Sequence, residues 1–246
     1  MKPAEYPRMF AAEERQWWYA GMRTISQAVL ARELRHSQSL RALDAGCGTG
    51  GNLAWLGQLG HAVGVDLSEL ALTLSRQRAV TVVRGDVLRL PLRDNAFDLV
   101  TSFDVLYHRW IDDDGAAVRE LVRVLRPGAL LFVRVPALRW LWGAHDEEVL
   151  SRHRYTRTEV SRLLTSCGLV DVRSTFCNTL LFPIVALRRG LDRWLGRRGS
   201  DVEFLPAPFE WAFRKALEAE AWWLKRGVLP FGSSVLAWGR KAQPTH

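Results

Sequence analysis

The stretch that most constrains this chain is Leu40–Leu53, Leu-Arg-Ala-Leu-Asp-Ala-Gly-Cys-Gly-Thr-Gly-Gly-Asn-Leu. A short apolar run (Leu40, Ala42, Leu43, Ala45) stops at glycines, and apolar residues then recur at helical spacing at Leu53, Ala54, Leu56 and Leu59. Strand, tight turn and helix in that order open a nucleotide-binding α/β sheet. Gly46, Gly48 and Gly51 satisfy G-x-G-x-x-G literally, which taken alone points to a dinucleotide. Asp44 argues against that ligand. Its carboxylate stands two residues before the first glycine, at the mouth of the turn, where it would repel a pyrophosphate. A ligand with a cationic amino group is favoured there instead.

S-adenosylmethionine has such a group, carries a sulfonium and has no phosphate, and the glycines let backbone approach its methionine portion. Leu43-Asp-Ala-Gly-Cys-Gly-Thr-Gly50 resembles the first motif of class I S-adenosylmethionine-dependent methyltransferases, small-molecule type, of the type 11 group. Later stretches extend the resemblance. His61-Ala-Val-Gly-Val-Asp66 reads as a second strand whose terminal Asp66 accepts hydrogen bonds from both ribose hydroxyls, with Leu67 beside it and Ser68 left to cap the next helix. Val80–Val87 reads as a third strand. There the resemblance implies that Asp86 reaches the adenine amino group and the Val87 amide the ring. Phe97-Asp98-Leu99-Val100 resembles the family's entry to strand four, whose end, Ser102, Phe103 and Asp104, should face the transfer site. Arg-Val-Leu-Arg-Pro-Gly, ending at Gly128, precedes a buried fifth strand, Ala129–Pro136, in the family's manner.

The implied fold is α/β: a Rossmann-like seven-stranded methyltransferase sheet with helices on both faces, an N-terminal helical cap and a helical insert between strands six and seven. The organisation expected is a single domain over 1–246, with the cap at 1–36, the cofactor-binding core at 37–176, the insert at 177–232, and the last strand and tail at 233–246. Apolar spacing predicts one helix over 10–35. Either it closes over the cofactor, bringing Tyr19 and Arg23 to the methionine carboxylate, or it simply packs on the sheet. Asp112, Asp113 and Asp114 read as an N-cap and first-turn acids of the following helix rather than as a metal site. A helix over 157–167 with Thr156 or Thr158 as cap, a sixth strand over 169–176 and a seventh over 233–241 complete the pattern.

Two segments are candidates for the acceptor. The loop over 138–155 (Arg-Trp-Leu-Trp-Gly-Ala-His-Asp-Glu-Glu, then His153-Arg-Tyr) leaves the catalytic edge of the sheet, and its adjacent acids and His145 are too close in sequence to converge on one ion. The insert holds Leu-Leu-Phe-Pro-Ile-Val-Ala-Leu followed by Arg188, Arg189, Arg193, Arg197 and Arg198 around Trp194. It also holds Phe209, Phe213, Leu217, Trp223 and Leu224 at helical spacing. A basic fringe on an apolar, Trp-bearing helix suits an interfacial surface or lid; core packing or a homodimer contact is the alternative. Tyr107, His145 and Tyr155 are the expected acceptor contacts. His108, one turn beyond the fourth strand, is the first choice for a base and His153 the second.

Composition narrows the class further. With 34 Lys plus Arg against 26 Asp plus Glu the chain carries +8, open to an anionic membrane surface; without a basic block or RNA-binding motif, nucleic acid is disfavoured. Its three cysteines, Cys47, Cys167 and Cys177, lack ligand spacing, so neither zinc nor a disulfide framework is expected, and a reducing cytoplasm fits. The first residues, Met-Lys-Pro-Ala-Glu-Tyr-Pro-Arg, lack the apolar run of a signal peptide. The expectation is a cytoplasmic methyltransferase, peripheral to the inner face of the membrane if the insert meets lipid, acting on a small or lipid-linked acceptor at oxygen. Its rivals are a nicotinamide-dependent reductase, a noncatalytic cofactor-binding subunit, and an enzyme of this fold that uses the bound sulfonium without methyl transfer.

Overall fold

The computed structural model describes residues 2–34, 39–194 and 205–244. Two helices, α1 (Glu5–Ala12) and α2 (Trp17–Glu33), precede the sheet. The single helix expected over 10–35 is therefore broken. Gln16 is extended (ψ 136°), and the Trp17 amide that opens α2 donates to Glu210 at 2.8 Å, far along the chain. A distant carboxylate caps a helix start that periodicity reads as mid-helix.

The core then runs β1 (Leu40–Ala45), α3 (Leu53–Leu56), β2 (Gly60–Asp66), α4 (Glu69–Arg76), β3 (Thr81–Arg84), β4 (Phe97–Phe103), α5 (Asp114–Val124) and β5 (Leu125–Pro136). After it come α6 (Ala144–Glu148), α7 (Arg157–Ser166), β6 (Leu169–Cys177), α8 (Phe182–Trp194), α9 (Ala207–Leu224) and β7 (Ser234–Lys241). The seven strands order β3-β2-β1-β4-β5-β7-β6, parallel except β7, which is antiparallel to both β5 and β6. Strand order reverses between β1 and β4, the switch point where open α/β sheets bind ligands.

Local rules account for three of the helix starts. Ser68 accepts from the Ala71 amide, Asp113 from Ala116, and Thr156 from Glu159 with Glu159 returning the bond. Asp113 thus caps the helix and Asp114 lies in its first turn. The Pro-Gly element after α5 lies inside β5: Gly128 (φ 78°) forms an irregularity opposite Phe97–Leu99, and the strand continues on either side.

Two apolar layers flank the sheet. One buries Leu43, Val100, Leu131 and Val133 against α5 and α7. The other buries Leu99, Phe132 and Trp238 against Met22 and Ile25 of α2 and Leu217 and Leu224 of α9. The second half of the insert therefore packs on the N-terminal helix. Contact there is close enough that a Cβ on Gly21 would stand 2.2 Å from Leu217 Cδ1. Of the apolar set expected on α9, Leu217 and Leu224 are buried and Phe213 meets Trp17 edge-on at 5.1 Å, while Phe209 and Trp223 are exposed. Arg197 and Arg198 lie outside the described residues.

Candidate active site

A cleft of about 310 Å³ opens at the carboxyl ends of β1, β2, β4 and β5, beneath α1 and α2. Gly46, Gly48, Asp66, Leu67, Asp86 and Val87 line one arm. Each sits at or just past a strand end, because a parallel strand must turn there into its crossover. Gly46 (φ 79°) and Gly48 (φ 53°) adopt backbone that disfavours side chains. A Cβ on Gly46 would meet Val105 at 2.3 Å and one on Gly48 would meet Met9 of α1 at 2.8 Å.

Asp66 is already engaged by backbone: Oδ2 accepts from the Gly48 amide (2.9 Å) and Oδ1 from Ser68 (2.8 Å). Burial pushes its carboxyl upward, against these bonds. Asp86 accepts from the Leu88 amide at 2.9 Å. Phe103, Tyr19 and Arg23 also line the cleft. Arg23 donates from Nη2 to the Glu13 carbonyl at 2.5 Å, and its buried Nε has no acceptor among the described residues. Burial raises the Tyr19 phenol, so its hydroxyl stays protonated.

Asp44 differs from expectation. It is not at the mouth of the turn but beneath it, 1% exposed, and it does not line the cleft. One oxygen accepts from Thr101 Oγ1 at 2.8 Å, while Oδ2 has no partner. Desolvation pushes its carboxyl up to about 7. The side chain of an inward-facing β1 residue points into the sheet layer, and that is where the strand's pleat puts it.

The other arm holds Tyr107, His108, His145, Asp146 and Arg154. His108 is 5% exposed, stacks on Trp110 (4.0 Å, 17°), and leaves Nδ1 without a partner. Burial lowers it to about 3, so the ring is neutral. His153 and Tyr155 are not brought to the cleft. His153 packs edge-on against Tyr155 and lies 3.8 Å from Glu159. Tyr155 sets its hydroxyl between Asp114 (2.6 Å) and the Leu106 carbonyl (3.1 Å), tying the loop after β5 to α5.

Several cleft residues were not anticipated. Arg134, buried on β5, pairs with Asp104 (2.6 Å) and lies between the Trp18 and Phe103 rings (5.3 and 5.0 Å). Asp104 is itself in left-handed backbone (φ 59°). An arginine inside the apolar run of β5 was the signal in the sequence. Glu13 accepts from Thr49 (2.6 Å) and pairs with Arg78 (3.1 Å), locking the break between α1 and α2 onto the glycine turn. Among the described residues no group of three His, Cys, Asp or Glu is placed to hold a metal.

The seven-stranded order, with β7 antiparallel between β5 and β6, is the Rossmann-like methyltransferase fold. Residues 43–133 match the methyltransferase domain of the type 11 group. A probable S-adenosylmethionine-dependent methyltransferase of Mycobacterium tuberculosis is 30% identical over 161 residues, 63% of this chain and 57% of that protein. A malonyl-[acyl-carrier protein] O-methyltransferase of Enterobacter lignolyticus is 38% identical over 135 residues, 51% of this chain and 53% of that protein. The chain thus spans between half and three fifths of the length of these relatives. In fold it is similar to an S-adenosylmethionine-dependent methyltransferase of Thermotoga maritima, at TM-score 0.59 and 20% identity, covering 98% of this chain and 100% of that one. Residues 43–133 are thus similar to the methyltransferase domain of S-adenosylmethionine-dependent enzymes, and S-adenosyl-L-methionine is the cofactor that the matched relative's description names. The site fits it: two glycines that admit no Cβ, and a half-buried arginine whose Nε lacks an acceptor, suit an amino-acid carboxylate at a bare backbone turn.

Proposed function

We propose that the protein transfers the methyl group of S-adenosylmethionine to a small or lipid-linked acceptor, at oxygen. The observation that carries this reading is one continuous cleft with two chemically different arms: a glycine turn with two strand-end carboxylates, and a neutral histidine beside an aromatic, ion-paired wall. The O-methyltransferase named among the relatives supports oxygen.

In this reading Asp66 and Leu67 hold the ribose, Asp86 and Val87 the adenine, and Arg23 with the Tyr19 hydroxyl the methionine carboxylate. Asp44 acts from beneath the turn as a buried negative charge toward the ammonium, and Phe103 walls the methyl-transfer point. When bound, the cofactor supplies an electrophilic methyl on a sulfonium whose thioether departs without an acid. The protein's task is alignment, an effect that reaches roughly 7 kcal/mol or more in well-oriented systems. Tyr107 and His145 bound the acceptor. His108, neutral with Nδ1 unpartnered, accepts the hydrogen bond of the acceptor hydroxyl and orients it; a ring this hard to protonate is a poor store for the proton, which passes on to water. His153 and Tyr155 hold the acceptor loop in place.

Helix α8 supports a lipid-linked acceptor. Val185, Arg188 and Arg189 line the cleft, while Leu180 just before the helix and Ile184, Leu187 and Leu191 on it are between 48% and 66% exposed. The apolar surface continues through Phe182 to Phe231 (5.5 Å) and Trp140 (5.7 Å). No helix among the described residues is long and apolar enough to cross a membrane; the exposed apolar side chains of α8 beside its arginines suit an interfacial contact, at the inner face of a cytoplasmic membrane.

Calorimetric titration with S-adenosylmethionine, NADH and NADPH tests the reading. Binding of the first alone is expected; binding of a nicotinamide alone overturns it. Flotation with anionic vesicles tests the lipid contact, which Leu187→Asp should abolish.

A further inference from the structure

Helix α9 packs Leu217, Ala221 and Leu224 into the layer it shares with α2, and no residue of α9 lines the cleft. Such a helix ordinarily turns a polar face to water. Here Trp211, Trp222 and Trp223 stand on the outward side, between 54% and 64% exposed, with Ala212 and Ala219 exposed among them. Neither the fold nor the proposed methyl transfer uses these three rings.

Trp211 and Trp222 are eleven residues apart, close to three helical turns, so they share one stripe about 16 Å long. Lys215 and Glu218 lie within that stripe, paired at 2.6 Å, and Arg214 reaches the same carboxylate at 3.9 Å. The stripe is its own complement. Turned end for end about a two-fold axis level with Ala216 and Leu217, it sets Trp211 of one copy beside Trp222 of the other and Lys215 beside Glu218, each contact made twice. Ala212 and Ala219 lie on the other side of that contact, where small side chains let two helices approach. A parallel pairing would instead set Lys215 on Lys215 and Glu218 on Glu218, and like charges oppose it.

A lipid surface suits the face less well. Interfacial helices ring an apolar face with cations, whereas here an acid stands in the middle of the stripe. Tryptophan is enriched where proteins meet. Burial of one tryptophan removes about 150–250 Å² from water, so the three exposed rings offer roughly 300–400 Å² per copy, near half of the ~800 Å² that one partner gives to a standard interface. We propose that the outward face of α9 is the interface of a homodimer, in which α9 packs antiparallel on the α9 of a second copy.

Sedimentation equilibrium of the full chain over a range of loading concentrations tests this interface. A reversible monomer–dimer equilibrium is expected, weakened at least roughly tenfold in Trp211→Ser/Trp222→Ser. Lys215→Glu sets Glu against Glu across the axis, and Glu218→Lys sets Lys against Lys, so each variant alone should dimerise less than wild type. Mixed in equal amounts, the two variants regain both opposite-charge contacts, and a heterodimer near wild-type affinity is expected. That rescue arises only between chains, because the Lys215–Glu218 pair within each chain stays broken. All of these variants should keep the wild-type circular dichroism spectrum, since none of the substituted side chains lies in the core. A chain monomeric at every concentration, a dimer indifferent to these substitutions, or a mixture without rescue overturns the interface. So does flotation of a monomeric wild type with anionic vesicles that the tryptophan variant loses, which would make the face a lipid contact.

Discussion

Asp146 grips Arg154 through both carboxylate oxygens, at 2.8 and 3.0 Å, with the two side chains 3% and 5% exposed. Arg189 of α8 joins the same carboxylate at 2.9 Å, and Arg154 also donates to the Ala137 carbonyl at 3.0 Å. One buried acid therefore ties the acceptor loop to the end of β5 and to the insert. Asp146→Asn leaves two guanidiniums short of a counter-charge in a buried wall. Loss of about 3–5 kcal/mol is expected, read by denaturant unfolding, with cofactor affinity less affected than stability.

Asp66 is the residue on which the cofactor reading leans most. Asp66→Ala removes the carboxylate that also orders the Gly48 and Ser68 amides. Affinity for S-adenosylmethionine should fall at least about tenfold by calorimetry, the worth of one hydrogen bond to a charged group. Unchanged affinity would remove the ribose assignment.

Asp44 and His108 pull stability in opposite directions with pH. The folded Asp44 carboxyl is raised to about 7, so its contribution is present at acid pH and is lost as pH rises from the ordinary carboxylate range through 7. His108 is lowered to about 3, so its contribution is full above the ordinary histidine value of 6.5 and is lost as pH falls toward 3. Unfolding free energy measured against pH should therefore lose its decline toward neutrality in Asp44→Asn, and part of its acid limb in His108→Asn. If Asp44 faces the cofactor ammonium, affinity in wild type rises between pH 6 and 8 and that rise disappears in Asp44→Asn.

Gly21 lets α2 and α9 approach. A methyl group there lands 2.2 Å from Leu217, a contact the packed layer must relieve by moving the helix. Gly21→Ala should cost about 1–3 kcal/mol in urea unfolding. Adding Leu217→Ala should recover part of it, because the cavity and the clash offset each other.

The glycine arm of the cleft was legible in the chain because each of its parts is local. A glycine turn, an acid at a strand end and a capped helix are all set within a few residues, by backbone sterics and by the need to turn from strand to crossover. The same locality made the caps at Ser68, Asp113 and Thr156 readable. What the chain alone could not give was every feature closed by a partner far away. Glu210 breaks the N-terminal helix from 193 residues downstream. Glu220 of α9 holds the Asn178, Thr179 and Leu180 amides at 2.5, 2.7 and 3.2 Å. Arg134 meets Asp104, and Asp146 gathers Arg154 and Arg189. Asp44, read as guarding the mouth of the turn, lies beneath it, and His153 and Tyr155 brace the loop after β5 from outside the cleft. Sequence by itself determined the sheet, its order of motifs and the glycine turn that bounds one arm of the cleft. Tertiary structure decided the ion-paired wall of the cleft, because a buried charge is placed by whichever opposite charge desolvates with it, and sequence spacing carries no record of that pairing.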